Sequence, residues 1–549
     1  MESCKYDQPE AGTDVTNGKA VAPRSLMLSL SDLLGSEYTA AACAAHAFLD
    51  GTSLAQSQAL ANEKVDVYPI RYSKRIDELL PLVGTKVSAT LERSAHGAGS
   101  RGFQEASKTK PAPVSGLGIY RIGEDGRLYL ASKAEHYHLS VGHGFPGYRL
   151  LEHARRLGIP NCTHNNTRGH ITRLLEEELV AAANGLGAAG TSDFTGGNAP
   201  LHDMDRSGIE RIIASSDAGV INRVINLETG SLAVEAALKI VLRRFYRFEK
   251  EAERPAYEGR TPVVLVMGDY DGGTGAGYHG TTTLTQVMRG LWPALAGKLE
   301  ASGALLVRPV KINDSADFTS VLDRWDTGQY KVAAFFHEIV LMNYGAVKLE
   351  QGFLARAYEV CREHDVPVVA DEIQSCIWSP DFFMFREYGL RPDIVSVGKG
   401  CPGGEYPAAR ILCSSAMDIL PQFGALVTNG QEEIASLSFL ITMAFARANR
   451  EFISETGEHY ETGLRELGTR HPAVIEKVEG RSHLASLHFR DAEKLARFVA
   501  ALNEGGIDIS VQSYKAHCPL SCLTKLPLVT TGKAVDFILE KMDAALRNI

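Results

Sequence analysis

An amine and a carboxylate stand 28 residues apart in this chain, each at the end of a short apolar run. Val366-Pro367-Val368-Val369-Ala370 leads into Asp371 and Glu372, and Ile394-Val395-Ser396-Val397 leads to Lys399, set between Gly398 and Gly400. Apolar runs of this length bounded by turn-formers read as buried strands of a parallel sheet. In open α/β sheets, ligands bind where the strands end. A lysine and a carboxylate at two neighbouring strand ends suit pyridoxal 5'-phosphate (PLP). The amine forms an imine with the aldehyde, and the carboxylate pairs with the pyridinium nitrogen and keeps the ring an electron sink. Either residue alone would describe only a solvated lysine or a common strand-end acid. The pair is what points to chemistry.

Three further segments supply what such a cofactor needs. Thr229-Gly230-Ser231 precedes the helix-forming stretch Ala233-Val234-Glu235-Ala236-Ala237-Leu238-Lys239. Free N–H groups and the dipole at a helix start favour a phosphate, although the same residues also make a plain N-cap. Tyr278 follows the run Gly272-Gly273-Thr274-Gly275-Ala276-Gly277 and offers an aromatic face for a ring. Gln374, three residues after Asp371, is in a position to hydrogen-bond a phenolic oxygen. The glycine run also admits a nucleotide-binding reading. It follows a strand but opens no clear dinucleotide helix with a placed acid, and a lone glycine run is weak evidence. His279 and His337 stand near the site in the chain, but a strand-end histidine reads first as packed core. Cys376 and Cys401 read as small buried apolar residues. Cys518 and Cys522 have only His517 as an obvious third metal ligand, and no metal site is expected.

The elements that must position these residues follow from the hydrophobic pattern. From about residue 263, strands at 263–267, 304–307, 332–336, 366–370, 394–397 and 409–413 alternate with helices, which predicts a mainly parallel sheet covered on both faces. Earlier, the pattern predicts an extended arm over 1–25, helices over 25–91, a Gly/Ser/Lys-rich loop over 94–115, and strands near 118–121 and 128–130. Helices are expected near 170–185 and 231–247, and a long one over about 431–466. With 549 residues, 44% apolar and 22% charged, the chain is sized for a multidomain α/β enzyme. A net charge of -9 and no long basic run argue against nucleic-acid binding. No apolar stretch reaches membrane-spanning length. Nine cysteines and a start without a signal-like apolar core fit a reducing, cytoplasmic setting.

Taken in order, these segments resemble the class III aminotransferases, the fold type I PLP enzymes that include the ω-aminotransferases. Gly230-Ser231-Leu232-Ala233-Val234-Glu235-Ala236-Ala237-Leu238-Lys239 is similar to that family's phosphate motif, Tyr278-His279-Gly280 to its aromatic-His-Gly motif, and Asp371-Glu372-Ile373-Gln374 to its Asp-Glu-Val/Ile-Gln stretch. Lys399 matches the Schiff-base lysine, Glu338 a glutamate ending a central strand, Thr428-Asn429-Gly430 a Thr-x-Gly segment, and Val141-Gly142-His143-Gly144-Phe145-Pro146 an upstream element. The resemblance covers roughly residues 115 to 549. It implies PLP fold type I: a large domain with a mainly parallel seven-stranded sheet flanked by helices, and a smaller α/β domain from the N- and C-terminal segments. The expected division is an N-terminal extension over 1–114, the first part of the small domain plus an insertion over 115–225, the PLP-binding domain over 226–430, and the rest of the small domain over 431–549. It further implies a homodimer with shared active sites. Lys399 is then imine former and proton shuttle, Asp371 holds the pyridinium, Gln374 contacts the ring oxygen, and Tyr278 covers one face. Gly230, Ser231 and the partner chain's copy of Thr428 bind phosphate, and His279 and Glu338 complete the cofactor site.

The activity implied is amino-group transfer from an amino acid or amine to a keto acid or aldehyde. A missing arginine and the long additions over 1–114 and about 155–225 keep another outcome open, and the phosphate motif departs as well. Leu232 replaces the glutamate of the phosphate motif, and Leu523 falls where many relatives carry an arginine for the substrate carboxylate, with Lys525 two residues on. Leucine cannot pair with a carboxylate, and lysine is only a point charge. The alternative is therefore a PLP-dependent lyase, replacement or carbon–carbon bond-forming enzyme of specialised biosynthesis. A non-catalytic relative would be expected to have lost Lys399 or Asp371, and both are present.

Overall fold

The computed structural model describes residues 21–106, 112–134, 138–186, 206–512 and 518–549. The Gly-rich part of the expected insertion around 191–198, the first twenty residues and His517 lie outside them.

Seven strands make the central sheet. In spatial order they are Arg223–Leu227, Ala409–Cys413, Ile394–Val397, Val368–Asp371, Tyr330–His337, Thr261–Met267 and Leu306–Val310. Six run parallel, and Ala409–Cys413 runs antiparallel to both its neighbours. The inner strands are buried on both faces, which is why they read as continuous apolar runs such as Val263-Val264-Leu265-Val266-Met267. The Gly230–Arg243 helix packs on one face through Ala233, Val234, Ala237, Leu238 and Val241. Arg223–Leu227 was not expected as a strand, since Asn226 and Arg223 interrupt its apolar pattern; pairing with Ala409–Cys413 outweighs that weak propensity.

Two four-stranded sheets assemble from distant parts of the chain. One is ordered Ile507–Asp508, Leu128–Ala131, Tyr120–Gly123, Pro113–Leu117, so a C-terminal strand lies parallel to an N-terminal one. Their junction holds a buried charge cluster, in which Asp508 meets Arg121 at 3.0 Å and Lys133 at 3.4 Å. The other sheet contains Ile475–Arg481, Leu484–Phe489, Ser521–Lys525 and Ser510–Val511.

The helices Leu30–Leu34, Ser36–Asp50, Leu54–Asn62 and Ile70–Leu79 precede these sheets. They are docked on the rest: Tyr68 Oη donates to the Val529 carbonyl at 3.3 Å, Tyr120 Oη to the Ile76 carbonyl at 2.6 Å, and Thr531 Oγ1 to Asp77 at 2.6 Å. The expected loop over 94–115 instead holds a short helix, Arg101–Ala106, and the start of the Pro113–Leu117 strand. The long helix expected over 431–466 is two, Glu433–Ala448 and Arg450–Arg470. They break at Asn449, whose side chain bonds the Arg24 backbone instead of continuing a helical pattern. No described helix is long and apolar enough to cross a membrane.

Candidate active site

The C-terminal ends of the central strands open onto a cavity of about 470 Å³, within the range of small-molecule sites. Gly230, Ser231, Tyr278, His279, Glu338, Asp371, Gln374 and Lys399 all line it. Thr428 does not: it lies in an exposed turn outside this cavity.

Parallel pairing of Val368–Asp371 with Ile394–Val397 sets Asp371 opposite Ser396. That register gives the carboxylate its partners. Oδ1 accepts from Ser396 Oγ at 3.0 Å and from the Ile373 N–H at 3.2 Å, and Oδ2 faces His279 Nδ1 at 2.9 Å. A carboxylate accepts only, so His279 carries a proton on Nδ1. Its Nε2 is buried without a hydrogen-bond partner among the described residues. His337 is different. It lies buried in the strand below, bonded through Nε2 to Tyr358 Oη at 2.9 Å, and burial holds its pKa down at about 4. It is packed core, as its strand position suggested.

Lys399 sits just past the end of its strand with φ of +35°, a left-handed conformation that a lysine adopts only when its surroundings impose it. The glycines on either side leave room for that turn. A Cβ on Gly400 would fall 2.1 Å from Trp378 Cζ3. Burial pushes the Lys399 amine below the usual lysine range, while Glu338 and Asp371 act the other way. Burial likewise raises the phenol of Tyr278; Arg289, whose guanidinium lies 5.0 Å from that ring's centroid, partly offsets it.

At the helix start, Thr229 caps Leu232 N–H, and Ser231 Oγ accepts the Thr281 N–H at 3.1 Å. The helix and the aromatic loop thereby close on each other. Gly280 has φ of +130°, and a Cβ there would meet Ser231 Cα at 3.0 Å; a Cβ on Gly230 would meet Ile373 Cδ1 at 2.6 Å. Backbone therefore comes close where side chains would fill the space, as an anion cradle at a helix N-terminus requires. The Gly272–Gly277 run has another job. Its Gly273 and Gly275 N–H groups donate to Asp269 at 2.7 and 2.9 Å, so an internal carboxylate already occupies the nest that a nucleotide phosphate would need.

Several lining or supporting residues escaped the motif reading. Glu228, Ile373, His138, Asn343 and Tyr406 line the cavity, and Ser396 holds Asp371 from the next strand. Ser396 carried a signal, because it lies within one residue of the end of the strand next to the one that Asp371 ends, and the parallel register pairs the two. His138 and Tyr406 carried none. Glu372 does not line the cavity; its buried carboxylate accepts from Ser375 Oγ and the Met384 and Phe385 N–H groups and is pushed up to about 7 by burial. Cys376 and Cys401 are fully buried with their sulfurs 3.2 Å apart. Leu523 is buried in its strand opposite Ser486 and lines no part of the cavity.

An aminotransferase class-III family model matches residues 198–546. Among curated proteins, an ornithine aminotransferase of Schizosaccharomyces pombe is 27% identical over 276 residues, 48% of this chain and 58% of that protein, so the alignment spans less than two thirds of that relative. An ornithine aminotransferase of Exiguobacterium is 26% identical over 59% of this chain and 74% of that protein. Among solved structures, a transaminase from the marine bacterium Virgibacillus superposes with a TM-score of 0.63 at 16% identity, covering 83% of this chain and 96% of that one. The ornithine aminotransferase of Toxoplasma gondii gives 0.60 at 19% identity, covering 81% and 93%. Another crystal of the Toxoplasma enzyme, at 20% identity and a TM-score of 0.60 over 81% of this chain and 93% of that one, holds PLP at partial occupancy in its active site. These likenesses show the fold.

Proposed function

This chain belongs to the class-III aminotransferase family, and from that premise we propose that it is a PLP-dependent aminotransferase moving an amino group between an amine or amino acid and a carbonyl acceptor. The observation that carries the reading is the cavity itself: one partly buried amine, Lys399, and one carboxylate, Asp371, held by three donors, face the same space. The donor set fits the cofactor. The Gly230–Ser231 helix start and the Gly280 backbone would hold its phosphate, Tyr278 would cover its ring, Asp371 would accept from the ring nitrogen, and Gln374 would meet its phenolic oxygen.

Bound PLP supplies an electron sink that makes the carbon bearing the substrate amine acidic. The protein's own groups do the rest. Lys399 Nζ, with a pKa lowered chiefly by burial, is a base able to take a proton and return it. Ser396, His279 and the Ile373 N–H keep the Asp371 carboxylate aimed and unable to rotate away. We further infer a cytoplasmic homodimer in which exposed Thr428 serves the partner's phosphate site.

A second reading has one observation behind it. Leu523, at the position of the family's carboxylate-binding arginine, is buried away from the cavity, which leaves room for lyase, replacement or carbon–carbon bond-forming chemistry on an unusual donor. One experiment separates the two. The purified chain is supplied with PLP, reduced with borohydride and peptide-mapped; label on Lys399 supports the cofactor site, and no label on any lysine defeats it. A separate, unreduced PLP-loaded sample is offered ornithine, diamines and α-amino acids with 2-oxoglutarate. Glutamate formation supports transfer, and release of ammonia or carbon dioxide without it supports the second reading.

A further inference from the structure

Gln374 is approached from behind the cavity by the last strand of a small sheet. Lys525 in Ser521–Lys525 has no exposed surface. Its Nζ lies 2.7 Å from the Gln374 backbone oxygen, 3.5 Å from Gln374 Oε1 and 3.7 Å from the centroid of the Trp378 ring. Trp378 is itself held, with Nε1 donating to the Leu526 carbonyl at 2.9 Å and its ring against Gly400, the residue after Lys399. Among the described residues, the charged and titratable groups acting on Lys525 include Lys399, Glu338, Cys376 and Cys401.

Among the described residues, two carbonyl oxygens and an aromatic face stand against Nζ. Burial and the Lys399 charge hold the Lys525 amine well below the usual lysine range, and the N–H bonds that set the orientation are ones that amine and ammonium share. Nζ donates to the Gln374 backbone oxygen and to Oε1, so the end of the Gln374 amide turned toward it is the oxygen. The NH₂ end is left for the cavity that Gln374 lines. We propose that Lys525 is a positioning residue for the cofactor site: it turns the Gln374 amide so that N–H donors face the cavity, where a ring oxygen would accept them. This rests on the PLP reading above. It also gives the lysine two residues from Leu523 a role other than carboxylate binding.

Donors at the ring oxygen favour loss of the proton that gives PLP-loaded enzymes of this kind their visible band. Lys525→Met keeps the apolar stem and removes the N–H bonds that hold the Gln374 amide in that orientation. In the PLP-loaded protein, the pH midpoint of the visible band is expected to move up by about one unit, and the apoprotein's affinity for PLP, followed by fluorescence titration, to fall about tenfold. Gln374→Met should reproduce both effects, and the double variant should add little, because the two residues act as one unit. Thermal unfolding of the apoproteins checks the fold; should Lys525→Met not fold, Lys525→Gln, whose head no longer dictates the amide's direction, carries the same expectation. A midpoint within about 0.3 unit of the parent in folded Lys525→Met or Lys525→Gln, or in Gln374→Met, overturns the proposal. Full additivity in the double variant overturns it too. If the parent takes up no PLP and shows no visible band, it is the cofactor reading that fails.

Discussion

Replacing Asp371 with asparagine isolates charge from shape at the centre of the site. Asparagine is nearly isosteric. Its oxygen can stay where Oδ1 accepts from Ser396 Oγ at 3.0 Å and from the Ile373 N–H at 3.2 Å. Its NH₂ then takes the place of Oδ2, facing His279 Nδ1 at 2.9 Å. An amide N–H cannot accept, so His279 must move its proton from Nδ1 to Nε2, and the pair survives with its direction reversed. The fold therefore loses about 1 kcal/mol. On the proposed reading, the ring nitrogen of bound PLP would lose far more. Two unit charges about 3 Å apart at an effective dielectric constant of about 20 interact by roughly 5 kcal/mol, and hydrogen bonds to charged groups are worth about 1.5–3 kcal/mol net. A loss of about 3–5 kcal/mol in transition-state stabilisation corresponds to a 10²- to 10⁴-fold fall in kcat/KM at about 1.4 kcal/mol per tenfold. The assay is single-turnover loss of the visible band on mixing PLP-loaded protein with a good amine donor, with unfolding of the apoprotein as control. A variant within tenfold of the parent would refute the role given to Asp371. One that no longer folds would recast Asp371 as structural.

Gly280→Ala should weaken PLP binding to the apoprotein about tenfold or more, since φ of +130° and a Cβ 3.0 Å from Ser231 Cα force the two loops apart; unchanged affinity by fluorescence titration would contradict the cradle. Asp508→Ala leaves Arg121 and Lys133 buried beside each other and should cost about 3–5 kcal/mol in urea unfolding, whereas a loss under about 1 kcal/mol would mean that water reaches the cluster. Buried His337 and His483 both have pKa values held at about 4 by burial, below the 6.5 of an exposed histidine. Their stabilising contribution is full above pH 6.5 and is lost as pH falls through 4, by up to about 3 kcal/mol each. Glu372, raised to about 7, runs the opposite way, its contribution present below pH 4.5 and lost as pH rises through 7. Urea unfolding of His483→Gln and the parent at pH 7 and pH 4.5 should show a smaller acid loss in the variant, and equal losses would count against a neutral buried His483.

The parts of the site that were legible from the chain alone are local ones. Asp371 ends one buried apolar strand, Lys399 follows another by two residues, and Gly230 and Ser231 open a helix, so the candidate site residues lie within a few positions of the pattern that places them. Strand runs and helix starts are written in neighbouring residues because side-chain period and backbone conformation are local properties. The same reasoning failed where a local pattern was overruled from afar. Arg223–Leu227 became a strand through its pairing with Ala409–Cys413, and one expected helix divided at Asn449 because the Arg24 backbone offered that side chain a partner.

What only the tertiary structure decided are contacts between distant positions. Ser396 reaches Asp371 because two parallel strands share a register, and Ile507–Asp508 joins a sheet built some 380 residues earlier. Lys525 meets Gln374 across 151 residues. Such pairs leave no periodic trace in the chain, since each residue is chosen for a neighbour that folding alone brings near. The sequence determined which groups could carry out the chemistry; packing determined which way they face.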